Sequence, residues 1–223
     1  MGAAPGVTAP ELADPGATRP GVTDEEARVY TIGFFLFEDV EELDWVGPWE
    51  VLASWAARWP DDGISCSTVS RDGGPVRCAK GTRVLVDHAW DTAPAYDLLI
   101  YPGGQGTRAQ LGDAAIREWV RRMKEEVDVL ASVCTGSLAL ADAGLLDGRP
   151  ATTHWRSIER LGTLGEAIDV RAEERFVDDG DIVTASGISA GIDMALHLVA
   201  RLHSVERARE VRRAIQYDPA PPV

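Results

Sequence analysis

The sequence contains little lysine, little cysteine and no long apolar run. Only Lys80 and Lys124 are lysines among 22 basic residues, and 36 Asp and Glu residues give a formal net charge of −14. Proteins that bind nucleic acid or anionic membranes need a basic face, so this charge balance argues against both classes of partner. No stretch reaches the ~18 apolar residues that a membrane-spanning helix requires. We therefore expect neither a nucleic-acid nor a membrane partner.

The three cysteines, Cys66, Cys78 and Cys134, are too few for a disulfide framework and wrongly spaced for a zinc site. The first residues also lack the basic-then-apolar layout of a secretory signal, so the expected location is the cytoplasm. Arginine greatly outnumbers lysine, which favours a GC-rich genome as the simpler explanation. The alternative explanation is an acidic surface adapted to high salt.

Residues 1–28 are rich in proline, glycine and alanine and have almost no bulky apolar side chain. Such a segment buries too little surface to balance its ordering entropy, so we predict a flexible tail. An arm that packs on a partner subunit is the alternative. Hydrophobic residues make up 45% of the chain, enough for one sizeable core, and no linker interrupts the remainder. We predict a single domain over residues 29–223.

Strand-like and helix-like segments alternate along this domain. Apolar runs predict strands at residues 29–37, 64–70, 82–88, 96–104, 127–133 and near Phe176 and Ile182. Helical spacing predicts helices at residues 47–57, 114–126, 135–146, from 190 onward and at 204–217. Alternation of this kind is typical of an α/β fold with a mostly parallel sheet sandwiched by helices.

Cys134 stands where an apolar strand meets a helix of small residues. The segment Ser132-Val133-Cys134-Thr135-Gly136 has the layout of a nucleophile elbow, a sharp strand-to-helix turn that projects a reactive side chain. A helix N-terminus beside the sulfur would lower the pKa of the thiol by favouring the thiolate. The alternative is an inert, buried cysteine. Cys66 and Cys78 lack this setting and are expected to fill space.

Other strand ends bring polar groups toward the same edge, where ligands bind in open α/β sheets. The glycines at 103–106 follow a buried strand and predict either a backbone N–H site for negative charge or a plain turn. Asp44 lies between apolar Leu43 and Trp45, so it needs a partner or a raised pKa, as suits a general acid or base. His154 follows Cys134 by twenty residues.

These segments resemble the DJ-1/PfpI superfamily, which is related to the class I glutamine amidotransferases. The resemblance rests on the elbow, on the Tyr-Pro-Gly-Gly turn at 101–104 and on the Ala-Gly-Leu-Leu-Asp-Gly-Arg-Pro-Ala-Thr-Thr-His-Trp run at 143–155. It spans residues 32–222 and is greatest to the isonitrile hydratases, although some AraC-type regulators carry a similar domain. It implies a flavodoxin-like fold, a homodimer and no metal or organic cofactor. The implied activity is hydration of a small-molecule isonitrile to an N-substituted formamide through a cysteine thioimidate.

The resemblance also implies roles for individual residues. Cys134 is the expected nucleophile, Asp44 the expected proton donor and acceptor, and Thr135 the third catalytic residue. The backbone amides of Gly104 and Gln105 are expected to hold developing negative charge.

The remaining residues implied by the resemblance surround this set. His154 and Ile188 are expected to support this set, and His154 is expected to take no essential part in the reaction. Trp45 and Trp49 are bulkier than their counterparts and are expected to narrow or reshape the pocket.

Three alternatives to a hydratase stay open at this point. A glyoxalase or deglycase would act on methylglyoxal through a cysteine, a glutamate and a histidine. An amidase-like enzyme would need an assembled Cys134–His154 pair. A non-enzymatic sensor would use oxidation of Cys134 as a redox switch or would bind a ligand. Aspartate at position 44 and threonine at position 135 favour the hydratase.

Overall fold

A parallel sheet forms the centre of the molecule, for which a computed structural model describes residues 28–220. The predicted tail lies outside the described residues except for Arg28, and its flexibility stays a prediction. The strands are β1 (Tyr30–Phe35), β2 (Ile64–Ser70), β3 (Val76–Arg77), β4 (Arg83–Val84), β5 (His88–Ala89), β6 (Leu98–Tyr101), β7 (Val129–Val133), β8 (Pro150–Ala151), β9 (Asp169–Val170), β10 (Phe176–Asp178) and β11 (Ile182–Ala185).

Seven of these strands within residues 28–220 form one sheet in the order β10-β11-β7-β6-β1-β2-β5. Every neighbouring pair is parallel except β10 and β11. All four residues of β6 and all five of β7 are buried, as expected for strands covered on both faces. The predicted α/β class with a mostly parallel sheet is confirmed.

Helices cover both faces of this sheet. They are α1 (Glu42–Arg58), α2 (Thr107–Gln110), α3 (Ala114–Glu126), α4 (Gly136–Asp142), α5 (Ile158–Leu164), α6 (Ala190–Leu202) and α7 (Val205–Ala214). No helix in this described part of the chain is both long enough and apolar enough to cross a bilayer. Helix α3 has the predicted bounds because the carboxylate of Asp113 accepts the N–H groups of Ala115 and Ile116 at its first turn.

The first helix begins earlier than predicted. It starts at Glu42 rather than near Gly47, so Asp44 lies in its first turn and not in a loop. The N–H of Glu41 donates to the carbonyl of Gly103 at 2.9 Å, which directs the chain into the helix. Pro48 is tolerated inside α1 although it has no N–H to donate to the carbonyl of Asp44, four residues earlier.

Two further boundaries were predicted wrongly. Residues 82–88 do not form one strand: they divide between β4 and β5, and the side chain of Leu85 between them is 82% exposed. The carboxylate of Asp87 accepts the backbone N–H of Thr68 at 2.8 Å, in the place of a strand carbonyl. Helix α4 ends at Asp142 rather than at residue 146, because Gly144 turns the chain with φ +76°.

Close packing of α1 against α6 holds Asp44 over the sheet. A Cβ built at Gly47 would lie 3.0 Å from Ile192 Cγ1, and one at Gly191 would lie 3.2 Å from Pro48 Cδ. The absence of side chains at these two positions lets the helix axes approach, since glycine alone leaves that space open. The first turn of α1 is thereby placed beside the carboxyl ends of β6 and β7.

Gly33, in the middle of β1, lies against the ring of Tyr96 and generates a test of this packing. A Cβ at Gly33 would lie 2.8 Å from three ring carbons of Tyr96. The ring is buried, and its hydroxyl lies 3.1 Å from Ser67 Oγ. Gly33→Ala should therefore lower the free energy of unfolding by about 1–3 kcal/mol through overpacking. Urea denaturation measures this change.

Gly162→Ala is the matched control. A Cβ at Gly162, inside α5, would meet only Val170 Cγ2, at an ordinary 3.6 Å. Alanine should leave stability unchanged or raise it by up to about 1 kcal/mol, because it restricts the unfolded chain and favours the helix. Equal unfolding midpoints for Gly33→Ala and the wild type would contradict the packing of Tyr96 on β1.

Candidate active site

Cys134 occupies a strained turn between β7 and α4. Its φ of +58° lies in the left-handed region that residues other than glycine rarely adopt. The backbone N–H of Cys134 stabilises this conformation by donating to the carbonyls of Ala185 and Ser186 at 3.0 and 2.8 Å. Glycine is required at position 136, two residues after Cys134, because a Cβ there would lie 2.2 Å from the carbonyl oxygen of Tyr101. The turn thus has the geometry expected of the elbow, and the cysteine residue is only 6% exposed.

The side chain of Asp44 reaches this turn from the first turn of α1. It is fully buried, and its Oδ2 accepts the backbone N–H of Gly103 at 3.0 Å. Its Oδ1 has no hydrogen-bond partner of regular geometry among the described residues. A Cβ at Gly103 would lie 2.9 Å from Asp44 Oδ2 and 2.5 Å from the nitrogen of Thr135, so only glycine fits between them.

Thr135 links the two turns through its hydroxyl. Its Oγ1 accepts the backbone N–H of Gly104 at 3.0 Å and lies 3.2 Å from Thr107 Oγ1. The backbone N–H of Gly104, which was predicted to hold developing negative charge, already donates to the hydroxyl of Thr135 and is therefore not free for that role. The N–H of Gln105 has no acceptor among the residues described, so it is the predicted donor that stands open.

The electrostatics of the cysteine differ from the expectation. Burial raises the pKa of the Cys134 thiol above its ordinary value, and the neighbouring charge of Asp44 raises it further, although the N–H of Thr135 acts in the opposite direction. The prediction of a lowered thiol pKa is wrong, because α4 has only seven residues and the sulfur lies away from water beside a carboxylate.

Asp44 responds to the same burial. Removal from water raises the pKa of its carboxyl group to about 7, while interaction with Cys134 and the N–H of Gly103 favour the charged form and limit the rise. This agrees with the expectation from its apolar neighbours in the sequence. A carboxyl group with a pKa near neutrality both accepts and donates protons readily at the pH of the cell.

An open cleft of about 460 Å³ lies above the pair. Its lining residues are Glu41, Gly104, Gln105, Arg108, Cys134, Thr135, His154, Arg156 and Ile188. Trp45 and Trp49 are absent from this lining, so the expectation that they narrow the pocket is wrong. They pack edge-on against each other, and Trp49 also packs against Phe34 of β1.

His154 shares the cleft with Cys134 but is engaged elsewhere. Its Nδ1 accepts the backbone N–H of Arg156 at 3.3 Å, which caps the short 3₁₀ turn at Trp155–Ser157. Its ring lies over Gly187, where a Cβ would be 2.3 Å from the ring carbon Cδ2. No hydrogen bond joins His154 to Cys134 in the described part of the chain. Ile188 forms the neighbouring wall, as a supporting residue would.

The sequence interpretation missed charged and polar residues around this pair. Arg108 donates from Nη1 to the carbonyl of Gly104 at 2.8 Å, and Arg156 lines the same cleft. Glu41 also lines the cleft and forms an ion pair with Lys80. Arg108 follows the glycine turn by only two residues, so its closeness to that turn in the sequence was a signal that was available.

Comparison with known proteins places this geometry in a family. The DJ-1/PfpI family matches residues 30–201. The chain belongs to the DJ-1/PfpI family. Isonitrile hydratase of Pseudomonas putida is 40% identical over 191 residues, which cover 86% of this chain and 80% of that enzyme.

Other relatives share the domain in different settings. The HTH-type transcriptional regulator CdhR of Pseudomonas aeruginosa is 36% identical over 157 residues, 70% of this chain but only 46% of the regulator. Among solved structures, a THiJ/PfpI family protein from Pseudomonas syringae has a TM-score of 0.79 at 29% identity, covering 94% of this chain and 85% of that chain.

The raised pKa of Asp44 predicts how this DJ-1/PfpI protein's stability depends on pH. The folded-state pKa of about 7 exceeds the unfolded value of about 4, so the folded state is penalised increasingly as pH rises between these values. Asp44→Asn removes that penalty. Its free energy of unfolding should exceed the wild-type value by about 1–3 kcal/mol at pH 8 and by less at pH 5. Chemical denaturation at both pH values measures the difference.

Asp142→Asn is the opposite-sign control. Asp142 accepts hydrogen bonds from Arg117 at 2.7 and 2.6 Å, and this contact lowers the pKa of its carboxyl group. Its ionised form is therefore stabilising above the unfolded pKa, and the asparagine variant should be less stable than the wild type at pH 8. A destabilised Asp44→Asn protein at pH 8 would contradict the buried, uncompensated state of Asp44.

Proposed function

We propose that this protein is an isonitrile hydratase, which adds water to R–N≡C and releases R–NH–CHO. The observation that carries the proposal is the interaction of Cys134, which lines an open cleft, with the buried Asp44 behind it, in a chain 40% identical to an isonitrile hydratase. One group is a nucleophile and the other moves protons near neutral pH, which are the two capacities that this reaction needs.

In the first half of the reaction, the sulfur of Cys134 attacks the terminal carbon of the isonitrile. Because the pKa of the thiol is raised, the resting cysteine keeps its proton, and attack requires a base beside it. Asp44 takes the proton from sulfur and passes it to the isonitrile carbon. A C–S bond and a C–H bond form, and the product is the thioimidate R–N=CH–S–Cys134, with Asp44 again ionised.

In the second half, water attacks the thioimidate carbon while Asp44 accepts a proton from that water. Asp44 passes that proton to the substrate nitrogen. As the C–S bond breaks, the hydroxyl of the tetrahedral intermediate becomes the formamide carbonyl, and its proton moves through Asp44 to the departing sulfur. The sum of both halves is R–N≡C + H₂O → R–NH–CHO. Every proton is carried by Asp44, the substrate or water, so the scheme requires no group from outside the chain.

Thr135 acts as a positioning residue in this proposal, and Gln105 acts as a hydrogen-bond donor to the substrate. The Thr135 hydroxyl ties the turn of Gly104 to the turn of Cys134, which keeps the nucleophile and the acid in register. The open N–H of Gln105 is available to the negative charge that develops during attack. His154 supports the cleft wall through its cap and moves no proton in the scheme.

We further propose that the protein acts as a homodimer in the cytoplasm. Leu43 and Val46 project from α1, each residue 38% exposed, and form an apolar pair that a second copy of the chain would cover. The partner in catalysis is a small-molecule isonitrile.

Incubation with n-butyl isonitrile, followed by chromatography for N-butylformamide, tests the activity. The wild-type protein should form the formamide, and Cys134→Ala should form none, because no sulfur is left to attack. Asp44→Asn should lower kcat/KM by about 10²–10⁴-fold, since an amide fits the space but moves no proton. Asp44→Glu should retain more activity than Asp44→Asn.

Two controls sharpen this experiment. Cys66→Ala removes a half-buried thiol on β2 and should hydrate at the wild-type rate. His154→Asn should lose less activity than Asp44→Asn. Lactate formation from methylglyoxal, with His154 essential and Asp44 dispensable, would replace the hydratase with a glyoxalase-type enzyme.

The pH profile of kcat/KM provides an independent test. Attack requires that the Cys134–Asp44 pair carry a single proton, and the first pKa of the pair is about 7 because of burial. Activity should therefore rise with pH through an apparent pKa near 7. His154→Asn should keep this limb, since the cleft lowers the pKa of that imidazole below 6.5. Loss of the limb in His154→Asn would assign the titration to the histidine instead.

A further inference from the structure

Two guanidinium groups stand at the mouth of the cleft. Arg108 and Arg156 both line it, together with Cys134 at its floor. Neither arginine forms an ion pair with a carboxylate in residues 28–220, although 36 acidic residues are present in the chain. Unpaired arginines facing one cleft in so acidic a protein call for an anionic partner.

The positions of both guanidiniums are restrained. Arg108 uses one nitrogen, Nη1, to bind the carbonyl of Gly104, which leaves its remaining N–H donors free. Arg156 lies over the exposed ring of Trp155, with its guanidinium carbon 5.4 Å from the ring centroid. Groups held in this way lose less conformational freedom when a ligand binds.

The other charges of the cleft leave these two uncompensated. Glu41 is the acidic residue that lines the cleft. Its carboxylate already forms an ion pair with the ammonium of Lys80. The imidazole of His154 lies near both arginines: after burial, Arg156 and then Arg108 are the causes that lower its pKa. The ring is therefore neutral at pH 7, and the mouth of the cleft has an excess of positive charge.

Depth separates these charges from the chemistry. Cys134 is buried at the floor and Asp44 is fully buried behind it, whereas Arg108, Arg156 and Gln105 are exposed at the mouth. An isonitrile group is linear and uncharged, so it enters head first and leaves its substituent among the arginines. A cleft of about 460 Å³ accommodates a substituent of modest size.

We infer that the preferred substrates are isonitriles whose substituent carries a carboxylate, which Arg108 and Arg156 bind at the mouth of the cleft while the isonitrile carbon meets Cys134. The inference rests on the proposed hydratase function and names the substrate class of the same site. The carboxylate suits the planar guanidinium donors of arginine, which bind it through two parallel hydrogen bonds.

Hydration of 4-isocyanobutanoate and of its methyl ester tests this inference, because the two differ in charge and little in reach. The measured quantity is the ratio of kcat/KM for the acid to kcat/KM for the ester, which cancels general damage to the site. The wild-type ratio should exceed one by roughly tenfold or more, and Arg108→Gln and Arg156→Gln should each lower it by roughly fivefold. The loss should fall mainly on KM, since the contact is equal in ground and transition states.

Two comparisons make the result specific to these guanidiniums. Arg156→Lys keeps the charge and should retain part of the ratio. Arg213→Gln removes an exposed guanidinium on α7, outside the cleft, and should keep the wild-type ratio.

The outcomes separate the inference from the function on which it rests. Hydration of both compounds with a ratio near one, unchanged in the arginine variants, would overturn the anionic substrate class and leave the hydratase intact. Hydration of neither compound nor of n-butyl isonitrile would overturn both. A ratio that falls in Arg108→Gln and Arg156→Gln but not in Arg213→Gln supports the inference.

Discussion

The close approach of the two turns that follow β6 and β7 is the constraint on which the site depends. A Cβ at Gly103 would lie 2.5 Å from the nitrogen of Thr135, and one at Gly136 would lie 2.2 Å from the carbonyl of Tyr101. The turns touch backbone to backbone beside Cys134, which is only 6% exposed. The first turn of α1 closes the remaining side with Asp44, whose carboxylate accepts the N–H of Gly103 at 3.0 Å.

The burial of both reactive groups explains why they behave as a pair. In water the carboxyl group would be ionised and the thiol would titrate in its ordinary range, but burial raises both pKa values. The pair therefore holds a single proton over a wide range of pH above about 7, on sulfur at rest and on the carboxyl group when the sulfur attacks. A permanent thiolate is unnecessary, because the base that creates it is in contact with the nucleophile. This arrangement lowers the free energy of unfolding, because one oxygen of the buried Asp44 carboxylate lacks a regular hydrogen-bond partner among the described residues.

The sequence predicted the sheet, the turn at Cys134 between a strand and a helix, and most of the helices, because these depend on local apolar patterns. Helix α3 has the predicted bounds, and β2 spans the predicted residues 64–70. Predictions failed where a distant group replaced a local one. The carboxylate of Asp87 takes the place of a ladder bond at Thr68, and the carbonyl of Gly103 starts α1 at Glu42.

Within the candidate site, the proximity of the candidate residues was predictable and the electrostatic state of the cysteine was not. Cys134, Asp44 and Thr135 come together as expected from their positions at strand ends. Whether the pKa of the Cys134 thiol is raised or lowered depends on how deeply the sulfur is buried and on the charge of Asp44. A sequence pattern contains neither of these. The occupied amide of Gly104 is a similar case, because it depends on the hydroxyl of Thr135 from another strand.

The division between floor and mouth bears on how one fold serves both enzymes and regulators. The floor is fixed by glycines that tolerate no side chain and by a buried acid, so its chemistry changes only with loss of the geometry. The mouth is formed by exposed side chains on α2 and on the turn after His154, including Arg108 and Arg156. Ligand choice can therefore vary while the pair beneath stays constant. A domain similar to this one also forms 46% of the HTH-type transcriptional regulator CdhR, so the same fold occurs beside other sequence.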